Sequence, residues 1–253
     1  MSNIASAFQK GKAYIPFFIC GDPSLEVTAQ AVRAAVQKGA AMVELNIPFS
    51  DPTAGDSNIQ EANIRALEKG VTTDKIFDLI ASLRQDVTVP FILSGYANVI
   101  FTYGADRFLS KCAQVGVDAL IVPDLPFEER EEFLPYCQKH GVHLIHMVAI
   151  TSKERIITIA KSATGFLYIM ACPGGTTQEL AHIMEVVRSV TSIPCAVCLS
   201  VDDAPQFWET AELVDGVIED APLVALCGKY GKDAPRYVGS RTRQVVHQLQ
   251  SVK

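Results

Sequence analysis

Residues 41–56 combine a buried-strand pattern with the acidic side chains best placed for chemistry. The run 41–45 is apolar except for Glu44, and a loop rich in Pro, Ser, Asp and Gly follows it with two more carboxylates, Asp51 and Asp56. Burial among apolar residues disfavours a charged carboxylate and raises its pKa towards neutrality. A general acid or base working near neutral pH needs such a pKa. Glu44 is therefore the leading catalytic candidate, and a structural acid satisfied by a buried partner is the alternative.

Three further loop residues each allow two interpretations. Asp22, in the turn 21–24, could act as an acid, but the favoured interpretation is a turn former that caps the following helix. Asp51 could contact a partner or simply shape its Ser-Asp-Pro turn. Tyr96 could provide a flat wall for an aromatic ligand or could be an ordinary core tyrosine.

Histidine and cysteine spacing predicts neither a metal site nor a redox site. The three histidines between 140 and 146 are interrupted by Gly141, which separates a helix from a strand, so they share no face. The seven cysteines are odd in number and most of them lie in apolar contexts, which indicates free thiols in a reducing cytoplasm. Cys195 and Cys198 form a C-x-x-C within a predicted strand, where they point to opposite faces. We expect no metal and no cofactor.

Bulk composition indicates a globular protein of 253 residues, with 49% hydrophobic and 20% charged residues. The net charge is −6 and Lys and Arg are dispersed, so nucleic acid and anionic membranes are not expected partners. The first ten residues have no signal-peptide core, and no apolar run reaches the length of a membrane span. These patterns predict a cytoplasmic location.

A repeated junction, an amphipathic helix followed by a glycine and an apolar strand, predicts the elements that position these residues. Its glycines are Gly39, Gly116, Gly141, Gly165 and Gly216. Strands are predicted at 14–19, 41–45, 89–93, 118–122, 143–148, 165–170, 194–198 and 215–218. Strands alternating with helices over this length predict one (β/α)₈ barrel domain over 1–253, with chemistry at the carboxyl ends of the strands.

The alternative fold is an open doubly wound sheet, which would require a glycine-rich loop after the first strand. Residues 20–23 offer a single glycine there, so the barrel is favoured. We also expect an extra helix at 2–10 and a final amphipathic helix at about 235–250.

Short motifs along the whole chain resemble the tryptophan synthase alpha subunit family. They are Ile-Pro-Phe at 15–17, Gly-Asp-Pro-Ser at 21–24, Val-Glu-Leu at 43–45, Ile-Pro-Phe-Ser-Asp-Pro at 47–52, Ile-Gln-x-Ala-Asn-x-Arg-Ala-Leu at 59–67, Tyr-Ala-Asn at 96–98 and Val-Gly-Val-Asp at 115–118. The resemblance implies retro-aldol cleavage of indole-3-glycerol phosphate to indole and glyceraldehyde 3-phosphate. It also implies a beta-subunit partner in an alpha2beta2 assembly.

The resemblance assigns roles to particular residues. Glu44 would transfer the proton to the indole ring carbon, and an aspartate of the second loop would engage the indole nitrogen. The implied substrate-binding residues are Phe17, Tyr96, Tyr168, Gly174, Thr176, Ser200 and Asp220. The implied beta-subunit contacts are Pro48, Ser50, Asp51, Pro52 and Gln60.

The second loop departs from the family pattern. The family reads Pro-Leu-Ala-Asp-Gly-Pro, whereas this chain reads Pro-Thr-Ala-Gly-Asp-Ser at 52–57. Gly55 therefore holds the position of the catalytic aspartate, and Asp56 is displaced by one residue. Because catalysis tolerates misplacement poorly, the sequence predicts impaired cleavage.

The phosphate-binding loops depart from the family as well. After strand six, residues 171–177 retain Gly174 and Thr176 but lose the last family glycine; Ser200 replaces a glycine after strand seven. Glu219 and Asp220 stand where the family has Ser-Gly after strand eight. A phosphate dianion about 5 Å from one carboxylate is opposed by roughly 6 kcal/mol at an effective dielectric constant of ~20. Acids facing this mouth would therefore abolish ordinary phosphate binding.

Three functional hypotheses follow. The favoured one is an alpha subunit that is weak or inactive as a lyase and acts mainly by docking on the beta subunit and activating it. The alternative is a fully active indole-3-glycerol phosphate lyase that uses Glu44 and Asp56. The third is a barrel with a new, unphosphorylated substrate suited to the acidic rim.

Overall fold

Parallel strands alternate with helices along the computed structural model, which describes residues 4–52, 56–149, 153–170, 176–199 and 204–252. The strands in this part of the chain are β1 (Ala13–Ile19), β2 (Val43–Asn46), β3 (Phe91–Ser94), β4 (Ala119–Ile121), β5 (His143–Leu144), β6 (His146–Val148), β7 (Leu167–Ile169), β8 (Cys195–Cys198) and β9 (Gly216–Glu219). With β5 and β6 taken together as one predicted strand, every strand begins and ends within two residues of its predicted bounds.

The strands close into a barrel. Their order is β5-β4-β3-β2-β1-β9-β8-β7-β6, and all the neighbouring pairs are parallel. The two ends of this order are consecutive in the chain, because β5 and β6 are the halves of one predicted strand interrupted at Ile145. β5 pairs with β4, and β6 pairs with β7, so this interrupted strand joins the ends. The (β/α)₈ barrel is confirmed, and the open sheet is wrong.

Helices surround the barrel in the described part of the chain. They are α1 (Ile4–Ala7), α2 (Leu25–Gln37), α3 (Ser57–Glu68), α4 (Thr73–Leu83), α5 (Ala97–Tyr103), α6 (Ala105–Val115), α7 (Leu134–His140), α8 (Lys153–Ser162), α9 (Thr177–Arg188), α10 (Ala204–Leu213), α11 (Ala221–Tyr230) and α12 (Ala234–Gln250), with 3₁₀ turns at Phe127–Glu132 and Gly231–Asp233. None of these helices has the length and apolar composition that crossing a membrane requires. The expected N-terminal helix is present as the shorter α1.

Local sequence explains where several elements begin and end. The hydroxyl of Ser24 accepts a hydrogen bond from the Val27 N–H, so Ser24 caps α2 and the expected cap at Asp22 is wrong. Four of the five junction glycines have positive φ, as a helix-ending glycine requires. Gly216 differs: it begins β9, and a Cβ there would lie 3.0 Å from the carbonyl oxygen of Ala13.

Alternating side chains along the strands fill the barrel in layers. The apolar interior cluster includes Ile15, Met42, Ile92, Ala119, Ile121, Ile145, Phe166, Ala196 and Ile218. The amino-terminal end is covered by residues of α1 and its following turn, and the Phe8 ring lies 5.9 Å from that of Phe166. At the carboxyl end the same inward faces continue with polar residues, among them Glu44 on β2 and Tyr168 on β7.

Cys195 and Cys198 point to opposite faces of the sheet, as predicted. Cys195 packs in the cluster between the barrel and α8 and α9, whereas Cys198 packs against the barrel interior. The six cysteines of the described residues are free thiols, and Cys172 lies outside those residues. Burial raises the pKa of Cys195 to about 12, so this thiol stays protonated and unreactive at neutral pH.

Candidate functional site

Glu44 lies inside the barrel near its carboxyl end. It is 4% exposed and pairs in register with Phe17 on β1 and Ile92 on β3. Burial raises the pKa of Glu44 to about 7, the nearby Asp220 also raises it, and a hydrogen bond with Ser94 opposes the shift. Among the described residues, no group forms a hydrogen bond with Oε2 of Glu44. Glu44 can therefore hold or release a proton near neutral pH.

Ser94 links Glu44 to its neighbouring strand and was not anticipated from the sequence. Its buried hydroxyl donates to Oδ1 of Asn46 at 3.2 Å and also lies in hydrogen-bond contact with Glu44. A serine hydroxyl has a single proton to donate, so it serves one of these acceptors at a time. The one signal in the sequence was its position two residues after an inward-facing isoleucine, Ile92.

A hydrogen-bonded chain of three side chains faces Glu44 across the mouth. Tyr168 bonds to the thiol of Cys198, and Cys198 bonds in turn to the carboxylate of Asp220. Asp220 also accepts a 2.6 Å hydrogen bond from the Ala221 N–H and so caps α11. Burial raises the pKa values of both Tyr168 and Cys198 well above their ordinary values. The largest charge effect on the pKa of Tyr168 comes from Cys198, and the largest on that of Cys198 comes from Asp220. Cys198 was not a predicted site residue, although it follows the inward-facing Ala196.

Glu219 points away from the mouth, so counting it as an acid of the phosphate site was wrong. It is 0% exposed and packs against α12, where Arg241 donates to Oε1 from Nε at 3.0 Å and from Nη2 at 2.7 Å. The hydroxyl of Tyr14 donates to Oε2 at 2.6 Å. The alternation of β9 places Ile218 inside the barrel and Glu219 outside it. Of the two acids, Asp220 alone faces the interior groups.

Asp56 is exposed at the start of α3. Its Oδ1 accepts from the Ile59 N–H at 3.1 Å, and its Oδ2 accepts from the side chain of Asn58 at 3.0 Å. Oδ1 thus caps the helix, and Oδ2 is held by a side chain of the same helix. Gly55, which precedes it, lies outside the described residues.

The other predicted binding residues have differing surroundings. Phe17 lies beside Glu44 on the neighbouring strand and packs against the interior cluster. The ring of Tyr96 stacks on that of Phe49 at 4.6 Å, joining the second and third loops. Thr176 caps α9 in a reciprocal arrangement with Glu179. Gly174 and Ser200 lie outside the described residues.

The predicted partner contacts lie along the second loop and α3. Ser50 and Asp51 are exposed, and the Ser50 hydroxyl donates to Oδ2 of Asp51 at 2.6 Å. Pro52 is half-buried and Pro48 is buried, while Gln60 is exposed on α3. Ile64, one turn further along α3, is 51% exposed, which the sequence analysis did not single out.

A partly buried ion pair fixes α3 to the first loop. Asp22, 3% exposed, accepts hydrogen bonds from Nε and Nη2 of Arg65 at 2.8 and 2.9 Å. A Cβ on Gly228 of α11 would lie 2.7 Å from Arg65 Nη2, so glycine allows the guanidinium this close approach. The sequence placed Asp22 in a turn but gave no sign of its partner.

The fold and this mouth define an α/β-barrel protein whose polar and titratable groups meet at the carboxyl ends of parallel strands, as in barrel enzymes. The family model for the tryptophan synthase alpha chain matches residues 4–252. The tryptophan synthase alpha chain of Lacticaseibacillus casei is 37% identical over 251 residues, which cover 97% of this chain and 94% of that one. The chain therefore belongs to the tryptophan synthase alpha chain family, a family of lyases.

Solved structures of the same family superpose on nearly the whole chain. Tryptophan synthase subunit alpha from Legionella pneumophila is 31% identical with a TM-score of 0.88, and the match covers 98% of this chain and 99% of that one. A chain of the tryptophan synthase α2β2 complex from Pyrococcus furiosus, described for its mutual activation, is 27% identical with a TM-score of 0.86. That match covers 94% of this chain and 98% of the other.

Proposed function

We propose that this chain acts mainly as a docking partner and allosteric activator of a tryptophan synthase beta subunit and cleaves indole-3-glycerol phosphate weakly or not at all. The observation that carries the proposal is the position of Asp56. The family's catalytic aspartate corresponds to Gly55, and the displaced carboxylate is committed to the α3 cap. Adjacent Cα atoms are about 3.8 Å apart, a large displacement for a catalytic group.

Asp220 gives the second line of support. Helix amino termini attract phosphate through free N–H groups and the helix dipole. At α11 the carboxylate of Asp220 already accepts from the first N–H, and Pro222 has no N–H to offer. A phosphate dianion brought here would meet a carboxylate, and each lost charge-assisted hydrogen bond would cost about a further 1.5–3 kcal/mol. Micromolar binding amounts to only about 8 kcal/mol in total.

The second loop supports the docking role. Pro48, Ser50, Asp51 and Pro52 keep the family motif, and Gln60 extends the same side onto α3. The Pyrococcus furiosus relative forms an α2β2 complex with mutual activation, and we infer the same assembly and a cytoplasmic setting here. Docking would activate the beta subunit by contacting its active state more favourably than its inactive state. A coupling free energy of about 1–3 kcal/mol corresponds to a roughly 5- to 150-fold effect.

A titration of beta subunit with this chain tests the docking role. Tryptophan formation from indole and serine should rise and saturate as the chain is added. Asp51→Ala should shift the titration to higher concentration without changing the unfolding temperature of the barrel. Asp78→Ala, which makes the same change at an exposed aspartate on α4, provides the matched control and should titrate like the unchanged chain. An unchanged rate at saturating chain would end the proposal.

The alternative function is a fully active lyase that uses Glu44 and Asp56. The pKa of Glu44, raised to about 7, favours this alternative, because it suits a general acid or base. Indole release from indole-3-glycerol phosphate distinguishes the two. If Asp56 is catalytic, cleavage should be robust and Asp56→Asn should abolish it, although asparagine still caps a helix.

A further inference from the structure

Residues 229–243 form a basic corner between α11 and α12 on a chain that is otherwise acidic. They include five of the 22 basic residues and one of the 28 acidic residues, Asp233. Over its 17 positions, α12 contains three arginines and no acidic residue. A local excess of one charge sign attracts partners of the opposite sign. The basic corner is therefore a candidate surface for a negatively charged partner.

Four of the five basic side chains in this corner are available to a partner. Arg241 is not, because it pairs with the buried Glu219. The others are exposed and form no ion pair with another described residue: Lys229, Lys232, Arg236 and Arg243. Arg236 and Arg243 lie seven residues apart, which is two turns of helix, so they share one face of α12 at a spacing of about 10 Å.

A stacked pair of tyrosines joins the two helices at this corner. The rings of Tyr230 on α11 and Tyr237 on α12 lie 3.5 Å apart and 10° from parallel. The Lys229 ammonium lies 5.2 Å from the centre of the Tyr230 ring, and the Arg236 guanidinium lies 6.0 Å from that of Tyr237. Cation–π attraction restrains both cations, so less side-chain freedom is lost when they bind.

The same stacking argues against a nucleic-acid partner. Single strands gain affinity by stacking their bases on open aromatic faces. Here each tyrosine ring already covers one face of the other, and a cation lies near each ring. The rings are thus poorly placed to receive a base, whereas their hydroxyls can still donate to carboxylates.

We propose that the basic corner docks an acidic helical segment of a partner protein. The exposed arginines of α12 repeat every two turns, and glutamates at the same seven-residue spacing on a helix lying along α12 would face them. α12 packs on α2 and α11, away from the second loop and the barrel mouth. The inference therefore goes beyond the proposed activation of the beta subunit and does not depend on it.

A pair of synthetic peptides tests the charge complementarity. The first is a helical peptide with glutamates at seven-residue spacing, and the second has glutamines at the same positions. In fluorescence-anisotropy titrations with the full chain at about 50 mM salt, the glutamate peptide should bind roughly tenfold more tightly than the glutamine peptide. Raising the salt to about 300 mM should remove most of this difference, because contacts between exposed charges are screened.

Charge-reversal variants locate the peptide on α12. Arg236→Glu combined with Arg243→Glu should weaken binding of the glutamate peptide roughly tenfold, and glutamate preserves helix propensity, so α12 should remain folded. Lys153→Glu combined with Lys161→Glu makes the same change in net charge at exposed positions of α8 and should leave the affinity unchanged. Lys232→Glu, on the turn between the helices, should weaken binding without altering either helix.

Two further readouts complete the test. Unfolding temperatures check that each variant is folded, and activation of the beta subunit should be the same in both double variants, which separates this surface from the second loop. Equal binding of the two peptides, equal losses in the two double variants, or tighter binding of an oligothymidylate of the same charge would overturn the proposal.

Discussion

Glu219 and Asp220 are adjacent acids with opposite surroundings, and substituting each should affect a different property. Glu219 is fully buried and accepts from Tyr14 and Arg241, whose side chain is 15% exposed. Glu219→Ala would leave a mostly buried guanidinium and a buried hydroxyl without their acceptor. Breaking one side of a buried pair costs about 3–5 kcal/mol. For a chain of this size, each kcal/mol lowers the unfolding temperature by about 2–4 °C. The expected loss is therefore roughly 6–20 °C.

Asp220 should control anion binding instead. Asp220→Gly removes a carboxylate from the amino terminus of α11, and glycine costs a helix cap only a few tenths of a kcal/mol. The unscreened repulsion of roughly 6 kcal/mol is reduced by solvent and relaxation, so we expect at least a tenfold gain in affinity for indole-3-glycerol phosphate. Glu219→Gln keeps an acceptor for Arg241 and should leave that affinity unchanged.

Urea and thermal unfolding, together with calorimetric titration of indole-3-glycerol phosphate, measure both effects in the same set of variants. A gain in phosphate affinity in Glu219→Gln equal to that in Asp220→Gly would refute the orientation of the two acids. An unfolding free energy unchanged in Glu219→Ala would refute the energetic role assigned to the Arg241 pair.

Further predictions concern Glu44, Arg65 and the second loop. Because the folded pKa of Glu44 is raised from 4.5 to about 7, the folded state holds its proton more tightly, so Glu44 should lower stability as pH rises from about 4.5 to 7. Urea unfolding at pH 5 and at pH 8 measures how much the unfolding free energy changes between the two pH values, and Glu44→Gln should reduce this change by up to about 3 kcal/mol. The same change in the variant and in the unchanged chain would contradict the prediction. Arg65→Ala should leave Asp22 buried without its partner and cost about 2–3 kcal/mol by the same assay, whereas Arg65→Lys should cost less. Placing Asp at 55 and Gly at 56 should not restore cleavage unless glycines are also placed at 200 and 220; robust turnover from the loop exchange alone would show that the phosphate site is intact.

The barrel could be predicted from the sequence because its signals are local and repeated. A glycine ends a helix and an apolar run follows, and this pattern recurs along the chain. Residues near strand ends were accordingly placed within a residue or two. The interruption at Ile145 was not predicted, because the residues on its two sides have similar composition. The two halves differ only in the strand with which each pairs, β4 for β5 and β7 for β6.

Side-chain partners over long sequence separations could not be predicted. A shift of one residue in the register of β9 would turn Glu219 from the outside of the barrel to the inside. Its partner Arg241 lies on α12, which follows later in the chain. Asp22 likewise finds Arg65 through the packing of α3 against the first loop, a contact that no local pattern encodes. Glu44 was identifiable because an acid within an apolar strand is unusual whatever lies around it.

The most direct test of the proposed division of labour measures two rates in one assembled complex of this chain with a beta subunit. The first is tryptophan formation from indole and serine, and the second is tryptophan formation from indole-3-glycerol phosphate and serine. The chain should raise the first rate roughly 5- to 150-fold over beta subunit alone, while the second rate stays near background. A second rate comparable to the first would show that the chain cleaves indole-3-glycerol phosphate efficiently and would contradict the account.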